Sequence, residues 1–350
     1  VTTPYASVAF LHQLLGKALA AQASDIHLKV GQPPGARVRG DLVYFRVEKI
    51  KPEDTEAVAR VLLEIPSGRA PLEGSDARVM AYQVPGIGRF RVSLFRQRGA
   101  FSLVMRSIPL EVPTPAALGV PAAVTSLLDG GPGLVVVTGG AAQGKTSTLA
   151  ALIGKVNEAL PRQVITLEDP IEFLHEDRRA GVCQREVGSD VSSFADGLRA
   201  SLHQDADLVV VDGLGAEGAL EAAVEVAESA RLVLGSISAS DVPVALGRLF
   251  AGAGAELRER LVECLRAVVA QRLVLRRDGL GMALATELLV VTPALRSALL
   301  RPESHAASRS ALLKDAMAQG GALGMSTFEG QLEKLASEGV IAAPARVAEA

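Results

Sequence analysis

The sequence has little of what marks a secreted, metal-stapled or membrane-spanning protein. Only two of its 350 residues are cysteine, Cys183 and Cys264, and they lie far apart. Such a pair makes neither a disulfide framework nor a metal-ligand cluster, and it fits a reducing cytosol. No apolar run reaches the ~20 residues that cross a bilayer. No apolar stretch flanked by basic residues opens the chain in the manner of a secretory signal. The net charge of −3 lacks the excess of positive charge that a uniformly basic nucleic-acid binder carries, so no nucleic-acid partner is expected. Lysine is scarce while alanine and arginine abound, which reads as genomic composition. What the chain does have is apolar material, 49% of its residues. Single cores stop growing near ~250–300 residues, so two domains are expected.

Residues 8–23 place apolar groups at helical spacing, and Ser24-Asp25 breaks the pattern. IHLKV and ARVRG-DLVYF then alternate as strands around a turn at Gly31, Pro33 and Pro34. Residues 53–64 read as a helix, and 78–84 and 87–106 as further strands. This small α/β unit, residues 1–108, ends where Pro109, Pro113, Pro115 and Pro121 crowd one stretch. Prolines remove backbone donors, so 109–122 reads as a linker resistant to helix and sheet. Beyond it GLVVVTGG, QVITLED, DLVVVD and RLVLGSIS are continuous apolar runs separated by helical stretches. That alternation predicts a parallel sheet covered on both faces, over residues 123–275. From about residue 256 onward the pattern reads as mostly helical, interrupted by Gly320, Gly321 and Gly324, so 276–350 is expected to be a helical C-terminal region.

The sharpest motif is Gly139-Gly140-Ala141-Ala142-Gln143-Gly144-Lys145-Thr146, which fits G-x-x-x-x-G-K-[ST] between a predicted strand and a predicted helix. Such a loop turns its backbone N–H groups inward onto phosphate oxygens, and the helix N-terminus adds partial positive charge. Lys145 is placed to reach the β- and γ-phosphates of a nucleotide, and the Thr146 hydroxyl to bind Mg²⁺. Ser147 follows in the first helical turn.

Other segments make the motif specific. ASDIHLKVGQPPGARVRGDL (23–42), GRFRVSLFRQRGAFSLVMRSIP (88–109), VITLEDPIEFLH (164–175), QREVGSD (184–190), FADGLRASLHQDADLVVV (194–211), PALRSALL (293–300) and GGALGMSTFEGQL (320–332) occur in family order. The chain resembles the type IV pilus retraction ATPases of the type II/IV secretion ATPase family over nearly its whole length. The resemblance implies a PAS-like N-terminal α/β domain and a RecA-like P-loop NTPase domain with a helical C-terminal region. It implies ATP and Mg²⁺ as ligands and a homohexamer, or a mixed hexamer with an intact paralogue. It implies a cytoplasmic protein peripheral to the inner membrane, working on a pilus platform protein there. It gives Glu168 a role on the attacking water and sets Glu168 and Asp169 beside Thr146 on the metal. It brings Arg89, Arg91 and Arg106 to bear on phosphate charge, which guanidinium groups suit. His27 reads as structural.

The family pattern is broken in two places. After DLVVV the family continues with glycine, glutamate and, two residues later, arginine; here the run is Asp212-Gly213-Leu214-Gly215. Gly213 stands in the glutamate position and has no side chain. Asp212 lies one residue earlier, and one residue on an extended strand reverses the side-chain direction. On a continuing strand Asp212 need not substitute for the glutamate; where the strand has already ended, it can. Ser238 stands where the family has a histidine, and Arg231 where histidine is also usual. Ala142 replaces a family-typical glycine. Loss of one water- or metal-orienting carboxylate costs about 10²–10⁴ in rate. The sequence thus points to an ATP-binding motor ATPase with impaired hydrolysis, or to a non-hydrolysing paralogue that co-assembles with an active motor. A general secretion or pilus-extension ATPase fits less well, because the four-cysteine zinc insert frequent in that branch has no counterpart here.

Overall fold

The computed structural model describes residues 3–38, 40–64, 77–301 and 306–342. Arg39 of the second expected strand and the tail 343–350 of the C-terminal region lie outside them. The chain divides into two compact units, one running to Glu111 and including Asp169–Leu174 and Glu186–Asp190, the other holding the remainder from Val112.

The first unit carries helix α1 (Val8–Ala20), strands β1 (Ala23–Leu28), β2 (Gly35–Val38) and β3 (Asp41–Tyr44), helix α2 (Pro52–Glu64), and strands β4 (Ala77–Val84), β5 (Gly88–Gln97) and β6 (Ala100–Ile108). The strands form one antiparallel sheet in the order β3-β2-β1-β6-β5-β4. Alternation along β5 decides the faces. Phe90, Val92 and Leu94 point into a core shared with Leu11, Leu15, Ile26, Leu62, Leu103 and Met105. Arg89 and Arg91 therefore occupy the opposite face. Arg106 of β6 pairs directly with Arg91 in the ladder, which puts all three arginines on that face.

The second unit opens with α3 (Pro115–Leu118) and α4 (Ala122–Thr125) inside the proline-rich stretch. The expectation that these prolines resist helix is thus corrected. Pro115 sits in the first turn of α3 and Pro121 is the N-cap of α4, positions where the missing N–H is no loss. Val120 and Val124 bury themselves in the core of this unit. The sheet is built from β7 (Gly133–Thr138), β8 (Gln163–Glu168), β9 (Gly181–Glu186), β10 (Leu208–Val211), β11 (Leu232–Ile237), β12 (Leu265–Leu275) and β13 (Met282–Val290), in the order β13-β12-β7-β11-β10-β8-β9. Neighbours from β8 through β12 are parallel, and β13 returns antiparallel. Alternate residues of β7 feed two cores. Leu134 and Val136 join one side, Val135 and Val137 the other. A strand buried on both faces reads as a continuous apolar run, as it did in the sequence.

Strands β12 and β13 depart from the expected helical tail. Eleven and nine residues long, they occupy a stretch whose apolar run fits a buried helix or a buried strand equally well by periodicity. The helices of the unit are α5 (Lys145–Ala159), α6 (Phe194–Ser201), α7 (Ala219–Glu228), α8 (Val242–Ala251), α9 (Ala255–Cys264), α10 (Pro293–Leu300), α11 (Ala306–Gln319) and α12 (Phe328–Ser337). Among the described residues, no helix is long and apolar enough to cross a membrane.

The glycine cluster before α12 is a packing requirement. Gly324 has φ +76°, and a Cβ there would lie 2.5 Å from the Cβ of Ala123. Gly324→Ala is expected to destabilise the second unit by about 1–3 kcal/mol. Urea unfolding followed by a probe in this unit measures it; an unchanged midpoint would contradict the packing.

Candidate functional site

Parallel strands deliver their C-terminal ends to one edge of a sheet, where open α/β folds hold ligands. The loop Gly139–Gly144 leaves β7 at that edge and enters α5, whose N-cap is Gly144 at φ +82°. The Lys145 Nζ donates to the carbonyls of Gly139 (3.0 Å) and Gly140 (2.9 Å) and so lies folded over its own loop. Burial pushes its ammonium below the ordinary lysine range, and the charge of Asp212 partly offsets this. An arriving phosphate would act in the same sense as Asp212. Ala141 and Ala142 are exposed at the loop's turn. Ala142 adopts φ +57°, so the left-handed turn persists without the glycine. Strain of about 1–2 kcal/mol follows from the methyl group.

The strand β10 ends at Val211, and Asp212 begins a bend. Its side chain keeps the alternation of the strand: Leu208 and Val210 share a core with Leu149 and Leu152 of α5, and Asp212, two residues on, faces the same side and meets the start of that helix. The Thr146 hydroxyl donates to its Oδ2 at 3.0 Å, and the Ser236 hydroxyl donates to its Oδ1. Asp212 is thus the carboxylate that meets the Thr146 hydroxyl. Glu168, buried at the end of β8, accepts from the Thr166 hydroxyl at 2.6 Å and from the Gln184 amide at 3.0 Å, both on Oε1. Thr166 and Glu168 are two apart on one strand and share a face. The Gln184 Oε1 in turn accepts from the His175 backbone N–H at 2.9 Å. Asp169 is exposed and belongs to the first unit. Among the described residues no group of three or more His, Cys, Asp or Glu could hold a metal ion. The donor set around Thr146 is one hydroxyl and one carboxylate, hard oxygens of the kind that Mg²⁺ takes alongside phosphate oxygens and water.

At Gly213 the vacant side-chain position is closed. A Cβ built there would stand 2.6 Å from Cε2 and 2.7 Å from Cζ of Phe194, whose ring packs on the core. A glutamate at 213 has no room until that ring moves. Ser238 is exposed past the end of β11, and its carbonyl accepts from Arg248. Arg231 precedes β11, at the opposite end of the strand from Ser238, and donates to the carbonyls of Ser229 and Leu202.

In the first unit, Arg89 donates to the carbonyl of Ile171 (2.6 Å), Arg91 pairs with Glu172 (3.0 Å), and Arg106 pairs with Asp25 (2.8 Å). Burial alone would raise the Asp25 carboxyl, but hydrogen bonds from Ser24 and Arg106 hold it below the usual range. His27 sits beside it, with burial pushing its imidazole down. Sequence reasoning singled out the loop, Asp212, Glu168 and the arginines. It passed over Ser236, Gln184 and Thr166. Gln184 and Ser236 are polar residues on strands, which was the available signal.

Two outcomes follow. Ala142→Gly is expected to stabilise the second unit by about 1 kcal/mol, read as a higher urea midpoint; a lower midpoint would contradict the strained turn. Burial lowers the His175 imidazole to about 4 from its ordinary 6.5. The folded state then holds it neutral, while the unfolded state protonates it below 6.5. Stability is complete above that pH and falls as pH drops toward 4, by on the order of 3 kcal/mol. His175→Gln is expected to flatten the melting temperature between pH 6.5 and 4.5 relative to wild type. Parallel curves would refute it.

The model of the type II/IV secretion system protein family matches residues 6–287. The chain is 33% identical over 333 residues to the type IV pilus retraction ATPase PilT of Pseudomonas aeruginosa, covering 94% of each. It is 32% identical over 322 residues to the type IV pilus ATPase PilU of the same organism, covering 91% of this chain and 82% of PilU. Its fold matches the solved structure of the pilus retraction motor PilT with bound ADP, with a TM-score of 0.81 and 32% identity over 95% of this chain and 94% of that one. The ATPase DotB of Legionella pneumophila shares the fold at a TM-score of 0.77, 24% identity and coverage of 95% and 93%. The expected architecture, an N-terminal α/β domain with a RecA-like P-loop ATPase domain, is the one these proteins have. By the family model, the sequence identity and the fold together, the chain belongs to the type II/IV secretion system protein family.

Proposed function

We propose that this protein is an ATP-binding motor ATPase of the pilus-retraction type in which nucleotide binding is kept and hydrolysis is impaired. The observation that carries the reading is the hydrogen bond from Thr146 to Asp212 beside an intact Lys145. The backbone of Gly139, Gly140, Ala141, Ala142, Gln143 and Gly144 would cradle the phosphates, with Lys145 answering their charge and Ser147 in the first turn of α5. Thr146 and Asp212 would hold Mg²⁺, with Glu168 and Asp169 as the other carboxylates the family resemblance offers. When bound, the ion neutralises phosphate charge. Glu168, held by Thr166 and Gln184, is the remaining group that could orient a water. Gly213 and Ser238 supply neither carboxylate nor imidazole. Arg89, Arg91 and Arg106 are assigned to phosphate charge by the family resemblance; here they hold the Ile171 carbonyl, Glu172 and Asp25.

The family resemblance supports a homohexamer, cytoplasmic and peripheral at the inner membrane, acting on a pilus platform protein. One observation favours a second reading, a regulatory member of a mixed hexamer with an intact paralogue. The Phe194 ring lies against the Gly213 backbone, so the lost glutamate has left a packed wall in place of an open slot.

Titration with a fluorescent ATP analogue, with and without Mg²⁺, tests the binding half. Wild type is expected to bind more tightly with Mg²⁺. Lys145→Ala should weaken binding tenfold or more in both conditions. Asp212→Ala should abolish the Mg²⁺ enhancement and leave metal-free binding unchanged. Equal affinities for wild type and Lys145→Ala would sink the nucleotide assignment, and a Mg²⁺ enhancement surviving in Asp212→Ala would sink the metal assignment.

A further inference from the structure

Strand β12 carries one polar side chain deep in its apolar run. Gln271 is 2% exposed, and its Nε2 donates to the backbone carbonyl of Gln143 at 2.6 Å. Two residues on, the Leu273 backbone N–H donates to the Gln143 side-chain Oε1 at 2.7 Å. The middle of the phosphate loop is therefore gripped twice by one strand, once at its backbone and once at its side chain. The approach leaves no slack. A Cβ at Gly139 would lie 2.8 Å from the Gln271 carbonyl oxygen, and one at Gly144 3.3 Å from the Gln271 Nε2. The Gln143 carbonyl fixes the orientation of the Gln271 amide, because only the NH₂ end can donate to it. The other end, Oε1, is buried with no hydrogen-bond partner among the described residues, and so is the Thr286 Oγ1. Gln271 and Thr286 face each other in the β12–β13 ladder. A buried acceptor left unpaired costs about 1–3 kcal/mol, so the grip on Gln143 is kept against a local penalty.

We infer that Gln271 is a positioning residue for triphosphate binding, one that sets the phosphate loop through Gln143. The claim rests on the nucleotide reading above and adds to it the part of the chain that holds the loop in shape. The same strand ties that loop to the C-terminal helices. The guanidinium of Arg272, the next residue, lies 4.6 Å from the ring centroid of Phe328 at the start of α12, and Ser326 pairs with Leu288 of β13. Successive residues of β12 thus serve the loop on one face and α12 on the other.

The test is Gln271→Glu, nearly the same shape, which replaces the donor with an anion facing a carbonyl. Affinities are measured for a fluorescent ATP analogue and for adenosine bearing the same fluorophore, with folding checked by circular dichroism and thermal melting. The expected result is a folded variant with triphosphate affinity lowered tenfold or more and nucleoside affinity within twofold of wild type. Unchanged triphosphate affinity would overturn the inference, as would an equal loss for both probes, which marks a general structural defect. If Gln271→Glu fails to fold, Gln143→Ala removes the acceptor used by Leu273. It should show the same selective loss, and wild-type affinity there overturns the inference. Wild type that binds neither probe would overturn the nucleotide reading and this inference together, whereas binding by wild type with an unaffected variant overturns this inference alone.

Discussion

The contact between Thr146 and Asp212 is the joint on which the account of this protein turns. It links the first turn of α5, the helix that follows β7, to the residue after β10, and β11 separates β7 from β10 in the sheet. It forms because Asp212 keeps the alternation of β10 and faces the side of the sheet on which Leu208, Val210 and the buried residues of α5 share a core, and because Ser236 of β11, on the same face, holds the other carboxylate oxygen. The parallel order of the strands does the rest by bringing the phosphate loop, Glu168 and Asp212 to one edge.

In the proposed reading, the groups that would hold phosphate and the groups that would cleave it have separate fates. Holding would depend on backbone N–H groups, one lysine and one hydroxyl, in a loop that keeps its left-handed turn with alanine at 142. Cleavage would call for a carboxylate or imidazole that Gly213 and Ser238 do not supply, and the Phe194 ring fills the space where a side chain at 213 would start. A single substitution at 213 therefore meets steric resistance as well as missing chemistry. Glu168 persists, but its carboxylate is already engaged by Thr166 and Gln184 on one oxygen.

Much of this was legible in the sequence because it is local. The phosphate loop is a contiguous motif, and the β7, β8, β10 and β11 runs declare a strand buried on both faces. The common face of Arg89 and Arg91 follows from their spacing alone. Four things were not legible. The partners of Asp212, the Thr146 and Ser236 hydroxyls, lie 66 and 24 positions away in the sequence. The collision between Gly213 and Phe194, and the grip of Gln271 on Gln143, join residues 19 and 128 positions apart and exist only after the sheet is assembled. Strands β12 and β13 were hidden because their apolar runs carry no decisive period and lie next to the helical patterns of α10, α11 and α12.

The central claim is that binding and cleavage have been uncoupled in this site, and a single-turnover experiment addresses it directly. ATP labelled on the γ-phosphate is bound to excess purified wild-type protein with Mg²⁺, and the bound nucleotide is recovered over time. The account predicts a stable complex from which most of the label is recovered as ATP after many minutes. Rapid, complete release of labelled phosphate from the bound nucleotide would contradict it.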